Sequence, residues 1–135
     1  MTPEAVGYLS KARQCLGYAR INFGVGLGND AGRNAYLCAF HAAQAFIFER
    51  TGKVAKSHQG VHTEFNRLQK MNLESIWTSV VSYRKHILKA VADYEMGPDS
   101  EVPLVRAKAA IENAEEFIVC INNYWQPTAS LNPIR

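Results

Sequence analysis

The sequence predicts an all-α fold, an antiparallel four-helix bundle with one additional short helix. Apolar residues recur at spacings of three and four along several long segments, which is the period of a helix with one buried face. Helix-breaking residues, mainly Gly and Pro, separate these segments, and no segment shows the alternation of a strand. The 135 residues are 47% hydrophobic, enough for one core. We therefore expect a single domain over residues 1–125 and a flexible tail over residues 126–135.

The first helix begins at a favourable capping sequence. Thr2 can accept a hydrogen bond from the first turn, and Pro3 suits the first helical position. The glycine-rich segment 24–28 should end the helix near Asn22. One apolar stripe runs along it and comprises Ala5, Leu9, Ala12, Leu16, Ala19 and Phe23.

The second helix, which Asn29 or Asp30 can cap, is the most apolar part of the chain. Residues 35–48 contain no Asp, Glu, Lys or Arg, so this helix should lie at the centre of the bundle. A membrane span needs about 20 apolar residues, more than this stretch offers. We assign three of its residues to the structural core: Tyr36, Phe40 and His41. A histidine in such a helix is typically a core residue whose ring nitrogen bonds a neighbouring group.

Three further helices are expected. Ser57 can cap a short third helix, a fourth helix begins near Leu73, and Pro103 opens a fifth after a loop rich in Gly and Pro. The apolar stripes are Val61, Phe65 and Leu68 in the third helix, Ile76, Val80, Tyr83, Ile87, Ala90 and Tyr94 in the fourth, and Leu104, Ala107, Ile111, Ala114, Ile118, Ile121 and Trp125 in the fifth.

Positive charge is concentrated in the middle of the chain. The segment from Arg50 to Lys89 holds eight Lys and Arg against Glu64 and Glu74, a net +6, whereas the rest of the chain has a net charge of −3. Such a segment can bind an anion, with nucleic acid the obvious candidate, and a solvated helical surface is the alternative. The candidate phosphate-binding or RNA-binding residues are Lys56, His58, Arg84, Lys85 and His86.

Metal and cofactor sites are not expected. His58 and His62 share a helix face, but the sequence HQGVH lacks the Glu of a metalloprotease motif, and two ligands are too few for zinc. The cysteines, Cys15, Cys38 and Cys120, form no closely spaced pair and fit buried free thiols. The N-terminus shows neither a signal peptide nor a membrane anchor, so we expect a cytoplasmic protein.

Three segments together indicate a family. Residues 33–46 read RNAYLCAFHAAQAF, residues 56–61 read KSHQGV, and residues 88–95 read LKAVADYE. In this order they resemble the YYAxFHAA, K-x-H-x-G-V and L-R-x-x-A-D-Y-E patterns of the HEPN domain (higher eukaryotes and prokaryotes nucleotide-binding), in its small stand-alone prokaryotic form. The resemblance covers about residues 5–122.

The resemblance implies a helical bundle that is often a homodimer. It also implies a neighbouring gene for a minimal nucleotidyltransferase, with the HEPN protein as the toxin of a toxin–antitoxin pair. Many relatives are metal-independent ribonucleases that pair an Arg and a His across a dimer interface. A His can deprotonate the ribose 2′-hydroxyl, and an Arg can stabilise the charge on phosphorus.

This chain departs from the ribonuclease pattern at both positions of that pair. Lys89 stands where Arg is expected, and Tyr94 stands where the ribonucleases have His. Lys keeps the charge but lacks the bidentate fork of Arg, and Tyr is a poor general base at neutral pH. With Asp93, these two residues form the candidate catalytic set that the resemblance implies.

Two functions therefore remain open. The replaced pair favours a non-catalytic component of a toxin–antitoxin-like module, a homodimer that binds a nucleotidyltransferase partner and RNA or nucleotide. The basic middle segment favours contact with nucleic acid, and with it the alternative of an active metal-independent endoribonuclease. That enzyme would use Lys89 and Tyr94 together with a nearby histidine, His58 or His86.

Overall fold

A computed structural model describes residues 1–69 and 103–125. In these ranges the chain forms four helices, α1 (Pro3–Gly24), α2 (Gly28–Thr51), α3 (His58–Gln69) and α4 (Leu104–Trp125), and no strand. The predicted all-α helical bundle is confirmed. The helix expected from Leu73 lies outside the described residues, so the antiparallel order of the whole bundle remains a prediction.

Helix α1 has the predicted start. The Thr2 hydroxyl accepts a hydrogen bond from the Ala5 N–H at 3.2 Å, and Pro3 occupies the first turn. The helix continues two residues beyond the expected Asn22 and ends at Gly24. Five of the six predicted stripe residues are buried and Phe23 is half-buried, so the predicted core face is correct.

Helices α1 and α2 form a hairpin. At one end, the Glu49 carboxylate accepts hydrogen bonds from the backbone N–H and the hydroxyl of Thr2, at 2.8 and 3.0 Å. At the other end, Asn34 Nδ2 donates to Asn22 Oδ1 at 2.8 Å. The start of α1 therefore lies against the end of α2. The connecting turn uses Gly26 at a positive φ of 81°, which residues with a side chain rarely adopt.

Helix α2 is the centre of the core, as its composition predicts. Thirteen of its residues are buried, and it contacts each of the other three described helices. The expected capping by Asn29 or Asp30 is wrong, because the helix begins at Gly28, with Leu27 at the cap position and no side-chain cap. Asp30 instead lies in the first turn, where its charge complements the helix dipole.

Helix α3 is short and firmly anchored. The Ser57 hydroxyl accepts a hydrogen bond from the Gly60 N–H at 2.9 Å, which confirms the predicted cap. A Cβ at Gly60 would lie only 2.8 Å from that hydroxyl oxygen, so the glycine makes room for the cap. The Phe65 ring packs edge-on against Phe46 of α2 and Phe117 of α4, with ring centroids 5.1 and 5.4 Å apart.

Helix α4 closes the described part of the bundle. Ala107, Ile111 and three further stripe residues are buried as predicted, but Leu104 is 45% exposed. Periodicity identifies a helix face without showing where along the helix its burial begins. Arg20 of α1 forms an ion pair with Glu115 of α4 at 2.8 Å. None of the described helices combines the length and apolar composition that a membrane crossing requires.

Candidate polar site between helices α2 and α3

One tyrosine hydroxyl lies between two histidine rings where α2 meets α3. The Tyr36 hydroxyl oxygen is 2.6 Å from His58 Nδ1 and 3.2 Å from His62 Nε2. His58 and His62 are one turn apart on α3, which places both side chains on the face directed at α2. We call these three residues the Tyr–His cluster.

The rings of the Tyr–His cluster are stacked. The Tyr36 ring lies at 23° to the His58 ring and at 21° to the His62 ring, with centroid distances of 5.4 and 6.1 Å. Phe40, one turn along α2 from Tyr36, packs against His58 at 4.9 Å. Tyr36 is 8% exposed, whereas His62 is half-buried and His58 is exposed. The tyrosine of the cluster is therefore buried, and the cluster reaches the protein surface through its histidines.

Hydrogen-bond chemistry fixes the direction of these two contacts relative to each other. A phenol has a single O–H, so Tyr36 can donate to only one of the two nitrogens. The other histidine must donate an N–H to the Tyr36 oxygen. The shorter distance fits the O–H of Tyr36 donating to His58, and the longer one fits the N–H of His62 donating to Tyr36.

A second histidine arrangement lies further along α2. His41 Nδ1 is 2.8 Å from Gln44 Oε1, and Gln44 Nε2 donates to the backbone carbonyl of Ala55 at 2.8 Å. A carbonyl only accepts, so the NH₂ of Gln44 must face Ala55 and its oxygen must face His41. His41 therefore donates from Nδ1, and its Nε2 is an acceptor in the neutral ring. We call these residues the His41 chain.

The surroundings of His41 keep the ring neutral. Burial lowers its pKa from the ordinary value of 6.5, the Gln44 hydrogen bond opposes this, and the charge of Lys11 adds to the lowering. Gln44 is 7% exposed and is the one buried polar residue in the part of the chain that the structure describes. The structural-core role of Tyr36, Phe40 and His41 remains a prediction, although the burial of each residue can be stated. Tyr36 and Phe40 are buried, and His41 is half-buried.

Other candidate residues fall into two groups. Lys56 is exposed in the connector, two residues before His58. The remaining predicted site residues lie outside the described residues: Arg84, Lys85, His86, Lys89, Asp93 and Tyr94. The spacing of His58 and His62 is visible in the sequence, but their contact with Tyr36 is not. The sequence does contain one signal for this contact: a tyrosine in an otherwise apolar helix predicts a hydrogen-bond partner on a neighbouring element, because a buried hydroxyl needs a partner.

The possible metal ligands and the cysteines can be located in residues 1–69 and 103–125. No group of three or more His, Cys, Asp or Glu side chains there is arranged to hold a metal ion. Among the described residues the cysteines form no disulfide, and Cys15 and Cys38 are buried. Burial raises the pKa of the Cys38 thiol to about 12, with a smaller contribution from nearby Cys15, which disfavours the thiolate form at neutral pH.

Comparison with known proteins identifies the family. No curated protein is significantly similar to this chain. The family model of the HEPN domain matches residues 5–124, which includes all of α2 and α3 and therefore both histidine arrangements. This match supports a HEPN-type function in binding nucleotide or RNA. The chain belongs to the HEPN domain family.

Proposed function

We propose that this protein is a non-catalytic HEPN component of a toxin–antitoxin-like module, a homodimer that binds RNA or nucleotide and a minimal nucleotidyltransferase partner. The observation that carries this proposal is the family match over residues 5–124. The resemblance of residues 33–46, 56–61 and 88–95 to the small stand-alone prokaryotic type supports the partner and the module.

The basic segment supplies the RNA-binding surface in this proposal. It begins at the end of α2 and continues through the connector, where the side chains of Lys53 and Lys56 are exposed. Within the described residues, Lys56 makes no ion pair, and Arg67 is paired with Glu64 at 2.8 Å. Exposed lysines of this kind bind phosphate through charge and read no sequence. His58, two residues after Lys56, is also exposed.

The replaced Arg/His pair is the reason for proposing a binding protein rather than the family's ribonuclease. Lys89 offers a point charge to a phosphate, and Tyr94 has no suitable basicity at neutral pH. Asp93 precedes Tyr94 and would pair with Lys89 one helical turn away. In this proposal these three residues stabilise the fold or the dimer and do not cleave RNA.

The binding proposal is tested with fluorescein-labelled RNA and fluorescence anisotropy over a series of salt concentrations. We expect the double variant Lys53→Ala/Lys56→Ala to bind more weakly to every sequence. The slope of log affinity against log salt should fall by about 2, one for each lost phosphate contact. Lys108→Ala is the matched control, because Lys108 is exposed on α4, outside the basic segment. RNA affinity that is the same in the double variant and the control would overturn this binding surface.

The catalytic alternative is tested separately. Labelled transfer RNA is incubated with the purified protein in EDTA, with Lys89→Ala and Tyr94→Phe in parallel. We expect both substitutions to leave any cleavage unchanged. Loss of cleavage in both variants would instead establish a ribonuclease that uses Lys89 and Tyr94. Light scattering after size-exclusion chromatography tests the dimer, and co-expression with a minimal nucleotidyltransferase tests the partner.

A further inference from the structure

A pocket of about 480 Å³ lies between the C-terminal end of α2, the 53–57 connector and α3. Its volume falls in the range of about 300–1,000 Å³ that is usual for pockets holding small organic ligands. Apolar side chains line one part of it, among them Ile47, which is 1% exposed. Two cationic side chains, Lys53 and Arg67, line another part. The pocket therefore offers apolar contact and positive charge together, at the start of the basic segment.

The connector side of this pocket is held in place by hydrogen bonds. The Lys53 N–H donates to the Thr51 hydroxyl at 3.0 Å. The Ala55 carbonyl accepts from Gln44 Nε2 at 2.8 Å. Val54 lies between these two anchored residues, lines the pocket and is 47% exposed although it is apolar. The pocket is thus formed before a ligand binds, which lowers the entropic cost of binding.

Arg67 contributes a planar group to the same pocket. Its Nε and Nη2 atoms donate to the two carboxylate oxygens of Glu64 at 3.3 and 2.8 Å. Such a bidentate pair lies in the plane of the guanidinium, so it orients that plane and leaves the faces for stacking. The hydrogen bonds from Arg67 lower the pKa of Glu64, against a smaller effect of desolvation, and the charges of Arg67 and Lys53 add to the lowering. Glu64 therefore stays ionised and keeps its hold on the guanidinium.

We propose that this pocket binds one unpaired nucleobase of a single-stranded RNA, stacked on the Arg67 guanidinium and packed against Val54. The inference rests on the proposed RNA binding and names the form of RNA that the basic segment selects. Lys53, which is exposed, contacts a phosphate beside the bound base.

A nucleobase is the ligand that uses every part of this pocket. Unpaired bases of RNA stack on arginine planes and on other flat or apolar side chains. Bases within a duplex are already paired and stacked, so a duplex would use only the lysine charges. An acidic peptide would likewise use the charges and leave the apolar part empty. Because every base has a stacking face, the pocket selects unpaired RNA without selecting its sequence.

Arg67→Lys is the decisive variant, because it keeps the positive charge and removes the planar group. The full chain and the variant are compared by fluorescence anisotropy on a fluorescein-labelled single-stranded RNA. The same measurements use an abasic ribose-phosphate chain of equal length and charge. We expect the wild type to bind the RNA about tenfold more tightly than the abasic chain, since one stacked base contributes about this factor.

The variant should lose this preference for bases and keep the electrostatic part of binding. We expect Arg67→Lys to lower the affinity for the RNA about tenfold and to leave the affinity for the abasic chain within about twofold. The slope of log affinity against log salt should not change, because the number of phosphate contacts is the same. A second variant, Val54→Ser, keeps every charge and should weaken binding of the RNA alone, by about threefold.

Arg13→Lys is the matched control. It makes the same exchange at an exposed position of α1, outside the basic segment, and should leave both affinities unchanged. Circular dichroism of each variant confirms that its helical content equals that of the wild type.

The outcomes separate this inference from the proposed function. Equal affinity of the wild type for the RNA and the abasic chain would overturn the base pocket and leave the lysine surface in place. An Arg67→Lys variant that binds both chains more weakly would make Arg67 a phosphate contact and would also overturn the pocket. Failure of the wild type to bind any RNA would overturn both proposals.

Discussion

The two histidine arrangements of helix α2 use similar groups and differ in what anchors them. The His41 chain ends on the backbone carbonyl of Ala55, which can only accept. The donor and the acceptor of each hydrogen bond in this chain are therefore fixed. The Tyr–His cluster is centred on the Tyr36 hydroxyl, which donates and accepts equally well. The first arrangement is fixed in direction by its backbone acceptor, whereas the hydroxyl at the centre of the second can donate to either histidine.

This difference bears on what each arrangement does in the fold. A chain fixed by a backbone group cannot pass a proton without losing a hydrogen bond, so the His41 chain serves best to attach the 53–57 connector to α2. The Tyr–His cluster joins α3 to α2 through the Tyr36 hydroxyl, which has no such fixed direction. The stability of variants in the two arrangements tests whether the anchoring group decides how much each one contributes to the fold.

The largest loss of stability is expected from a substitution in the His41 chain. Gln44→Ala removes the partner of both the Ala55 carbonyl and His41 Nδ1, and it does so at a position that is 7% exposed. Buried groups left without a partner cost about 1–3 kcal/mol in total stability. We expect the free energy of unfolding, measured by urea denaturation, to fall by about 2 kcal/mol.

A matched glutamine provides the control for that measurement. Gln59 is exposed on α3, and its side chain contacts only the neighbouring Thr63 hydroxyl among the contacts seen. Gln59→Ala should change the free energy of unfolding by less than about 0.5 kcal/mol. If the two substitutions lower the free energy of unfolding equally, the His41 chain does not attach the connector to α2.

A smaller loss of stability is expected from a substitution in the Tyr–His cluster. Tyr36→Phe removes one hydroxyl and keeps the ring, so its cost is that of the hydrogen bonds alone, about 1 kcal/mol by urea denaturation. Tyr8→Phe is the control, since Tyr8 is half-buried and packs its ring against Phe48 at a centroid distance of 6.5 Å. A Tyr36 variant as stable as the Tyr8 variant would show that the hydroxyl does not bond both histidines.

The sequence predicts the fold of this protein well. The helical period identifies the buried faces of α1, α3 and α4, and the caps at Thr2 and Ser57 form as expected. These features are local, because a helix face and a cap depend on residues within a few positions of each other. The expected cap of α2 at Asn29 or Asp30 fails, because the helix starts earlier and its cap position is Leu27, two residues before Asn29.

The candidate site could be predicted only in part. The spacing of His58 and His62 shows that they share a helix face, and Lys56 is recognisable as a nearby charge. That this face meets Tyr36 depends on how α3 packs across α2, which is set by Phe65 between Phe46 and Phe117. Long-range packing of this kind leaves no periodic signal. The direction of each hydrogen bond also requires the partner atoms to be known.

The smallest effect is the pH dependence that His41 contributes. Burial lowers the pKa of His41 in the folded protein, so at mildly acidic pH the unfolded chain binds the proton more readily than the folded one. The contribution of His41 to the free energy of unfolding is therefore fully present above the ordinary pKa of 6.5 and is lost as the pH falls through the folded pKa. His41→Asn, whose amide can still donate to Gln44, should show less loss of stability on acidification than the wild type.

Nitrogen NMR of the wild type should show the proton of neutral His41 on Nδ1. A proton on Nε2 would contradict the fixed direction of the His41 chain, because the Gln44 oxygen would then face a ring nitrogen that has nothing to donate.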